Sequence, residues 1–269
     1  MFRLAHARER LERLYAQYHR RDLVNPDPLI FLYDYEDLRD REISGLIASS
    51  LAYGRVRQIM DSVASALAPM GSSPFRFLME STEKSLDGIY RRFRHRFTSG
   101  REMVFLLRGA RGAIEEYGSL HACFCKGLGS ENETVLTALS AFVAALRPCT
   151  GTCRKGFLPS PDEGSACKRW HLFLRWMVRQ DEVDPGGWSG VPTSKLVVPL
   201  DTHMHRIGLE LGLTRRRQAD REAALEMTRA FREIAPEDPV RYDFVLTRLG
   251  IRRDLDASWL QGAGQLAHP

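Results

Sequence analysis

No stretch of the sequence approaches the roughly 20 consecutive apolar residues that cross a bilayer, and residues 1–21 carry Arg and Glu throughout, where a signal peptide has an apolar centre. A membrane partner is therefore not expected, and the cytoplasm is the expected compartment. Cysteine is scarce. The five present are an odd number without the dense spacing of a secreted disulfide framework, which predicts reduced thiols. Cys149, Cys153 and Cys167 could meet around zinc or pair oxidatively, but they lack the two close C-x-x-C knuckles of a convincing site. Also missing are a Walker loop, a G-x-G-x-x-G turn and a G-x-S-x-G elbow, which removes the nucleotide-binding and hydrolase classes built on them. Alternating strands, internal repeats and low-complexity tracts are absent too. An all-α protein remains.

What is present describes a folded globule. A chain of 269 residues with 43% hydrophobic and 27% charged residues can bury a core as one or two closely packed helical lobes. Apolar residues recur at three- and four-residue spacing over 2–18, 40–52, 56–67, 101–117, 131–146, 165–179, 202–213, 220–234 and 239–249, with a shorter helix near 75–78. The segment 148–161 is the expected lobe boundary inside a single unit, and 181–199, with its prolines and glycines, an ordered but irregular connection. The net charge of +5 and pI near 9.1 favour a polyanionic partner. Two clusters could grip phosphates: Arg91, Arg92, Arg94 and Arg96, interleaved with Phe93, His95 and Phe97, and Arg206, Arg215, Arg216, Arg217 and Arg221. Solvated helix faces would account for them equally well.

Asp201 precedes Met204, Ile207, Leu211 and the Gly212 stop, the place of a helix N-cap. A cap alone accounts for it. A capping carboxylate is nevertheless well prepared for catalysis, because the amides hold it ionised and fixed in direction, which suits a developing positive charge. His203 and His205 follow as H-x-H, but two residues turn a helix by about 200°, so the rings face apart and a shared metal ion is not expected.

The segment VPLDTHMHRIGLELGL resembles the post-hairpin segment of helix-hairpin-helix DNA glycosylases, where an Asp opens a helix after a Val/Pro-rich run and is followed by His and Arg. The resemblance implies a two-lobed, all-α glycosylase-like fold with a divergent hairpin, and Asp201 as the catalytic Asp. It also implies an upstream Lys that attacks the sugar C1′ in members that are lyases, here Lys168 in GSACKRWHLFLRWMVR. The hairpin segment PDEGSACK carries only Gly164, and 33 residues separate Lys168 from Asp201, which is similar to archaeal-type 8-oxoguanine glycosylases. No Cys follows Cys167, so the four-Cys iron–sulfur loop of some glycosylases is absent and no cofactor is expected. The whole chain, including NPDPLIFLYDY, LIASSLAYGRVRQI and EDPVRYDFVLTRLGI, also resembles a bacterial family known only as a domain of unknown function.

The chemistry explains why Lys and Asp belong together. Cleaving an N-glycosidic bond builds oxocarbenium character that a carboxylate stabilises, while a neutral amine traps C1′ as a Schiff base. The implied partner is duplex DNA with a damaged base, 8-oxoguanine being one candidate, bound by a nucleoid-associated monomer. Tyr53, Arg55 and Gln58 occupy the turn where this superfamily places DNA-wedging residues, and Arg169, His203 and Arg206 are further expected DNA contacts. Trp170 or Trp188 could stack on a flipped base, whereas Trp176, on the apolar stripe, belongs to the core. The competing expectation is a non-catalytic nucleic-acid-binding protein on the same scaffold, with RNA and DNA both open. A metal-dependent hydrolase using His203 and His205 is the third.

Overall fold

The computed structural model describes residues 2–147 and 152–251. Its helices are α1 (Phe2–Tyr18), α2 (Leu38–Ser50), α3 (Val56–Leu67), α4 (Pro74–Glu80) and α5 (Glu83–Tyr90), then a hairpin of β1 (Arg94–His95) and β2 (Thr98–Ser99). There follow α6 (Gly100–Tyr117), α7 (Leu120–Lys126), α8 (Leu136–Ala145), α9 (Lys168–Val178), α10 (Thr202–Glu210), α11 (Arg221–Ile234) and α12 (Asp243–Ile251). The all-α expectation holds: the hairpin is the single sheet among the described residues.

The packing centre is α2, which Asp37 starts by accepting the Arg39 amide at 2.9 Å. Ile43, Leu46 and Ile47 are fully buried. Gly45 lets α9 come close, since a Cβ there would lie 3.3 Å from the Phe173 ring and 3.2 Å from Leu32. The polar residues of α2 are spent on neighbours. Asp40 accepts from the Phe75 amide at the start of α4, and Glu42 accepts from the amides of Leu120 and His121 at the start of α7 and from Trp188 Nε1 at 2.8 Å. Each carboxylate thus fixes another helix by its electropositive end.

Burial pushes the Glu42 carboxyl up to about 7, with the three donated N–H bonds pulling the other way. A folded-state value above the unfolded one means that Glu42 contributes stability below about pH 4.5 that is lost as the pH rises through about 7. The wild type should therefore lose about 2–3 kcal/mol relative to Glu42→Gln between pH 4.5 and pH 8. Urea unfolding of both proteins across that range checks it, and parallel curves would contradict it.

Against α2 lies α9, whose Trp170, Phe173, Leu174, Trp176 and Met177 are all in the core. The helix expected from 165 begins only at Lys168, because Gly164 and Cys167 both take left-handed conformations (φ +75° and +48°) that no helix continues. The connection over 181–199 is ordered and irregular. Asp181 accepts the amides of Val183 and Asp184, and Tyr33 Oη donates to the Val183 carbonyl at 2.5 Å. Buried Asp184 takes Arg175 Nε at 3.1 Å and Arg179 Nη1, clamping the connection to α9.

Other boundaries needed correction. The helix expected over 131–146 starts at Leu136, because Lys195 Nζ holds the carbonyls of Gly129 and Ser130 in a turn and its own carbonyl takes the Val135 amide. Two short helices, α5 and α7, were not expected, though Thr82 and Ser119 accept the Ser85 and Ala122 amides as N-caps. Nor were strands expected where the Arg-rich segment turns back as β1 and β2 in the register His95 opposite Thr98. The lobe boundary placed at 148–161 falls partly on residues 148–151, outside the described ones. Buried apolar residues from Leu11 to Leu249 form one continuous cluster.

Candidate active site

Three helix ends converge on one cleft. At the start of α10, Asp201 is extended (φ −115°) and its Oδ1 accepts from the amides of His203 at 2.9 Å and Met204 at 2.8 Å. The other oxygen, Oδ2, lies 3.1 Å from Lys168 Nζ, the first residue of α9. Lys168 also donates to the Ala52 carbonyl, just past the end of α2, at 3.3 Å. One oxygen of Asp201 is therefore committed to the helix while the second faces the amine. Both side chains remain about 30% exposed, open to a ligand.

The pair lies on the wall of a cleft of about 900 Å³, a size ordinary for ligand sites. Lys168, Leu172 and Arg175, at positions i, i+4 and i+7 of α9, line it along one helical face. Asp243, Phe244, Thr247 and Arg248 from α12 line it as well, Asp243 in direct contact with Arg175. Burial would raise the Asp201 carboxyl, but the Lys168 charge and the Met204 amide outweigh it and hold the group below the usual carboxylate range. Asp243 behaves in the opposite sense. Full burial pushes it up to about 6 although Arg175 Nη1 donates to its Oδ2. Two carboxyls with separated titrations thus face one cavity, with an amine at one of them.

A sequence profile described as protein of unknown function (DUF2400) matches residues 27–252. The chain belongs to this family. The match runs from before α2 to the end of α12, so every helix that lines the cleft lies inside the DUF2400 unit. Of the two resemblances read from the sequence, it is the one to a family of unknown function that this match supports. No curated protein and no solved structure matches the chain.

Within this DUF2400 protein the other expected site residues fall at different places. Trp170 and Trp188 are 2% and 3% exposed, with Nε1 donating to the Pro159 carbonyl and to Glu42 respectively. An indole so enclosed has no face to offer a base, and the stacking role expected of both is corrected. Trp176 is in the core, as its place on the apolar stripe predicts. Arg169, expected to touch DNA, lines the cleft, with its guanidinium spanning the carbonyls of Ser50 at 3.0 Å and Gly156 at 2.8 Å. Tyr53 lines the cleft but turns its hydroxyl inward, to the His95 carbonyl and Thr98 Oγ1. Arg55 and Gln58 are exposed at the start of α3, beside the rim residues Gly54 and Val56.

His203 lines the cleft, its imidazole lowered by burial against the opposing pull of Asp201, with Arg206 Nη2 at 3.2 Å from Nδ1. His205 points the other way, into the protein, with Nε2 2.8 Å from the Arg216 carbonyl. The two rings face apart, as a two-residue helical step requires. Among the described residues, no group of three or more His, Cys, Asp or Glu side chains could hold a metal ion. Cys153 and Cys167 are free thiols, while Cys149 lies outside the described residues. In the second Arg cluster, Arg216 pairs with Asp220 and Arg221 with Glu222, leaving Arg215 and Arg217 exposed beside them. No described helix is long and apolar enough to cross a membrane.

Missed from the sequence were Asp243, Phe244 and Arg248 on the cleft floor, and the place of Arg175 beside them. The i, i+4, i+7 series from Lys168 was a usable signal for Arg175. Nothing local marks the α12 residues, which reach the cleft only through the packing of α12 on α10.

Proposed function

We propose that the protein is a DNA glycosylase with an associated lyase step, removing a damaged base from duplex DNA, with 8-oxoguanine the first substrate to try. The observation that carries the reading is the 3.1 Å approach of Lys168 Nζ to Asp201 Oδ2 at the wall of a nucleotide-sized cleft. In this reading the amine, once it has given up a proton, attacks C1′ of the extruded nucleotide. The N-glycosidic bond breaks and its electron pair leaves with the base. Asp201, ionised and held by two amides, offsets the positive charge that builds on the sugar. Loss of a second amine proton and opening of the sugar ring then give the Schiff base, which β-elimination of the 3′ phosphate or water resolves. Among the described residues Lys168 is the one lysine with a carboxylate ion pair, and lysine is rare here, arginine supplying most of the 39 basic residues.

A Lys–Asp pair that ties three helix ends together is also what a structural clamp on a nucleic-acid-binding scaffold would look like. Base release separates the two. Duplexes each carrying one oxidised, deaminated or alkylated base should yield free base and a nicked strand for at least one lesion. Binding without release across the whole panel would leave the non-catalytic reading standing.

A further inference from the structure

The hairpin of β1 and β2 carries at its tip the most exposed large apolar side chain of the described residues. Phe97 is 64% exposed, against 41% and 42% for Ile89 and Leu209. Its neighbours are cationic. The Arg96 guanidinium lies 5.5 Å from the ring centre and that of Arg154 5.7 Å, and Arg91, Arg92 and Arg94 are exposed on the preceding residues. An aromatic ring left in water among guanidiniums has a surface suited to a base stack bordered by phosphates.

The tip is held rigidly and in a definite place. His95, fully buried, has Nδ1 2.9 Å from Ser62 Oγ on α3 and Nε2 3.1 Å from the Tyr53 carbonyl. Tyr53 Oη closes the loop on the His95 carbonyl at 3.0 Å and Thr98 Oγ1 at 2.7 Å. The base of the hairpin is thus bolted to the turn between α2 and α3, and only its tip projects. That turn is the cleft wall: Ala52, whose carbonyl receives Lys168 Nζ, and Tyr53 and Gly54 all line the cleft. Arg96 lies directly over Gly54, where a Cβ would come within 2.7 Å of its guanidinium. A continuous path of contacts therefore joins the Lys168 amine to the Phe97 ring through three successive rim residues.

We propose that Phe97 enters the DNA duplex beside the Lys168–Asp201 cleft and fills the gap left by the extruded nucleotide, while Arg96 and Arg154 hold the flanking phosphates. The proposal rests on the nucleic-acid reading of the same cleft. It places the wedge on the hairpin, not on the Tyr53, Arg55 and Gln58 turn, whose aromatic ring is turned inward. A nucleotide pulled from a stack leaves an apolar slot one base thick, and a phenyl ring on a rigid turn matches it in thickness and polarity.

The test uses the full chain and duplexes containing one tetrahydrofuran abasic analogue, which has no base to release and no aldehyde to trap. Phe97→Ala should weaken binding to this duplex by about tenfold or more, the loss of one base stack, and should leave binding to the intact duplex nearly unchanged. Phe97→Trp should keep the affinity and show indole fluorescence quenched on binding the gapped duplex alone. Because Phe97 is exposed, both variants should unfold at the wild-type temperature, which thermal melting records. Equal affinity of Phe97→Ala and wild type for the gapped duplex would overturn the proposal, as would an equal loss on single strands, or no duplex binding by the wild type. A glycosylase reading that failed would show itself separately, as absence of base release with the Phe97 effect intact.

Discussion

Asp201→Asn is expected to slow base release by about 10²–10³-fold while leaving the fold intact. Asparagine caps helices as well as aspartate does, so its Oδ1 can still take the His203 and Met204 amides that now start α10. What disappears is the charge on the oxygen facing Lys168. The substitution thereby separates the two roles of one side chain. Single-turnover release from the best substrate of the lesion panel measures it. A rate within about threefold of wild type, with unfolding unchanged, would make Asp201 a cap and nothing more.

The second large effect is on stability. Asp184 is completely buried and receives both Arg175 Nε and Arg179 Nη1, while Arg175 also serves Asp243, and Arg179 also serves Asp181 and Asp238. Removing the central acid in Asp184→Ala leaves two buried guanidiniums short of charge. Such uncompensated charge costs about 3–5 kcal/mol. Asp184→Asn, which keeps an acceptor and loses the charge, should cost less than the alanine variant and more than a surface change. Urea midpoints of the three proteins give the order directly, and a loss below about 1 kcal/mol for Asp184→Ala would show that the remaining carboxylates hold both arginines. The cluster matters to the site because Arg175 and Asp243 form the cleft floor.

How far the fold could be read in advance depended on how local each cause was. Asp201 was legible because capping is decided within four residues: a carboxylate, two free amides and an apolar repeat behind them. The long helices were legible by their spacing. The start of α9 was not, since it is set by left-handed turns at Gly164 and, against preference, at Cys167. The stacking expectation for Trp170 failed for a reason already applied to His203 and His205. Two residues past Lys168, Trp170 must face the opposite side of α9, so a lysine in the cleft puts that indole in the core. Trp188 could not have been placed that way, because its direction comes from the irregular connection and from Glu42 Oε1 far off in the sequence.

Of the site itself, Lys168 came into view only through resemblance, since a lysine at a helix start is ordinarily solvated. Its meeting with Asp201 depends on the 181–199 connection returning the chain to the start of α9, and that return rests on Asp184 and Trp188, which no motif marks. The Arg-rich segment at 91–97 was noticed for its charge. Its hairpin geometry was invisible, because strands of two residues are too short to show alternation and are held from outside by Tyr53 and Ser62.

Borohydride trapping tests the central claim most directly. Wild-type protein incubated with single-lesion duplexes and sodium borohydride should form a covalent protein–DNA adduct, with peptide mapping placing the reduced bond on Lys168. Lys168→Gln should form none while still binding the same duplex. An adduct that survives Lys168→Gln, or no adduct from the wild type on any duplex from which it releases base, would contradict the assignment of Lys168 as the nucleophile.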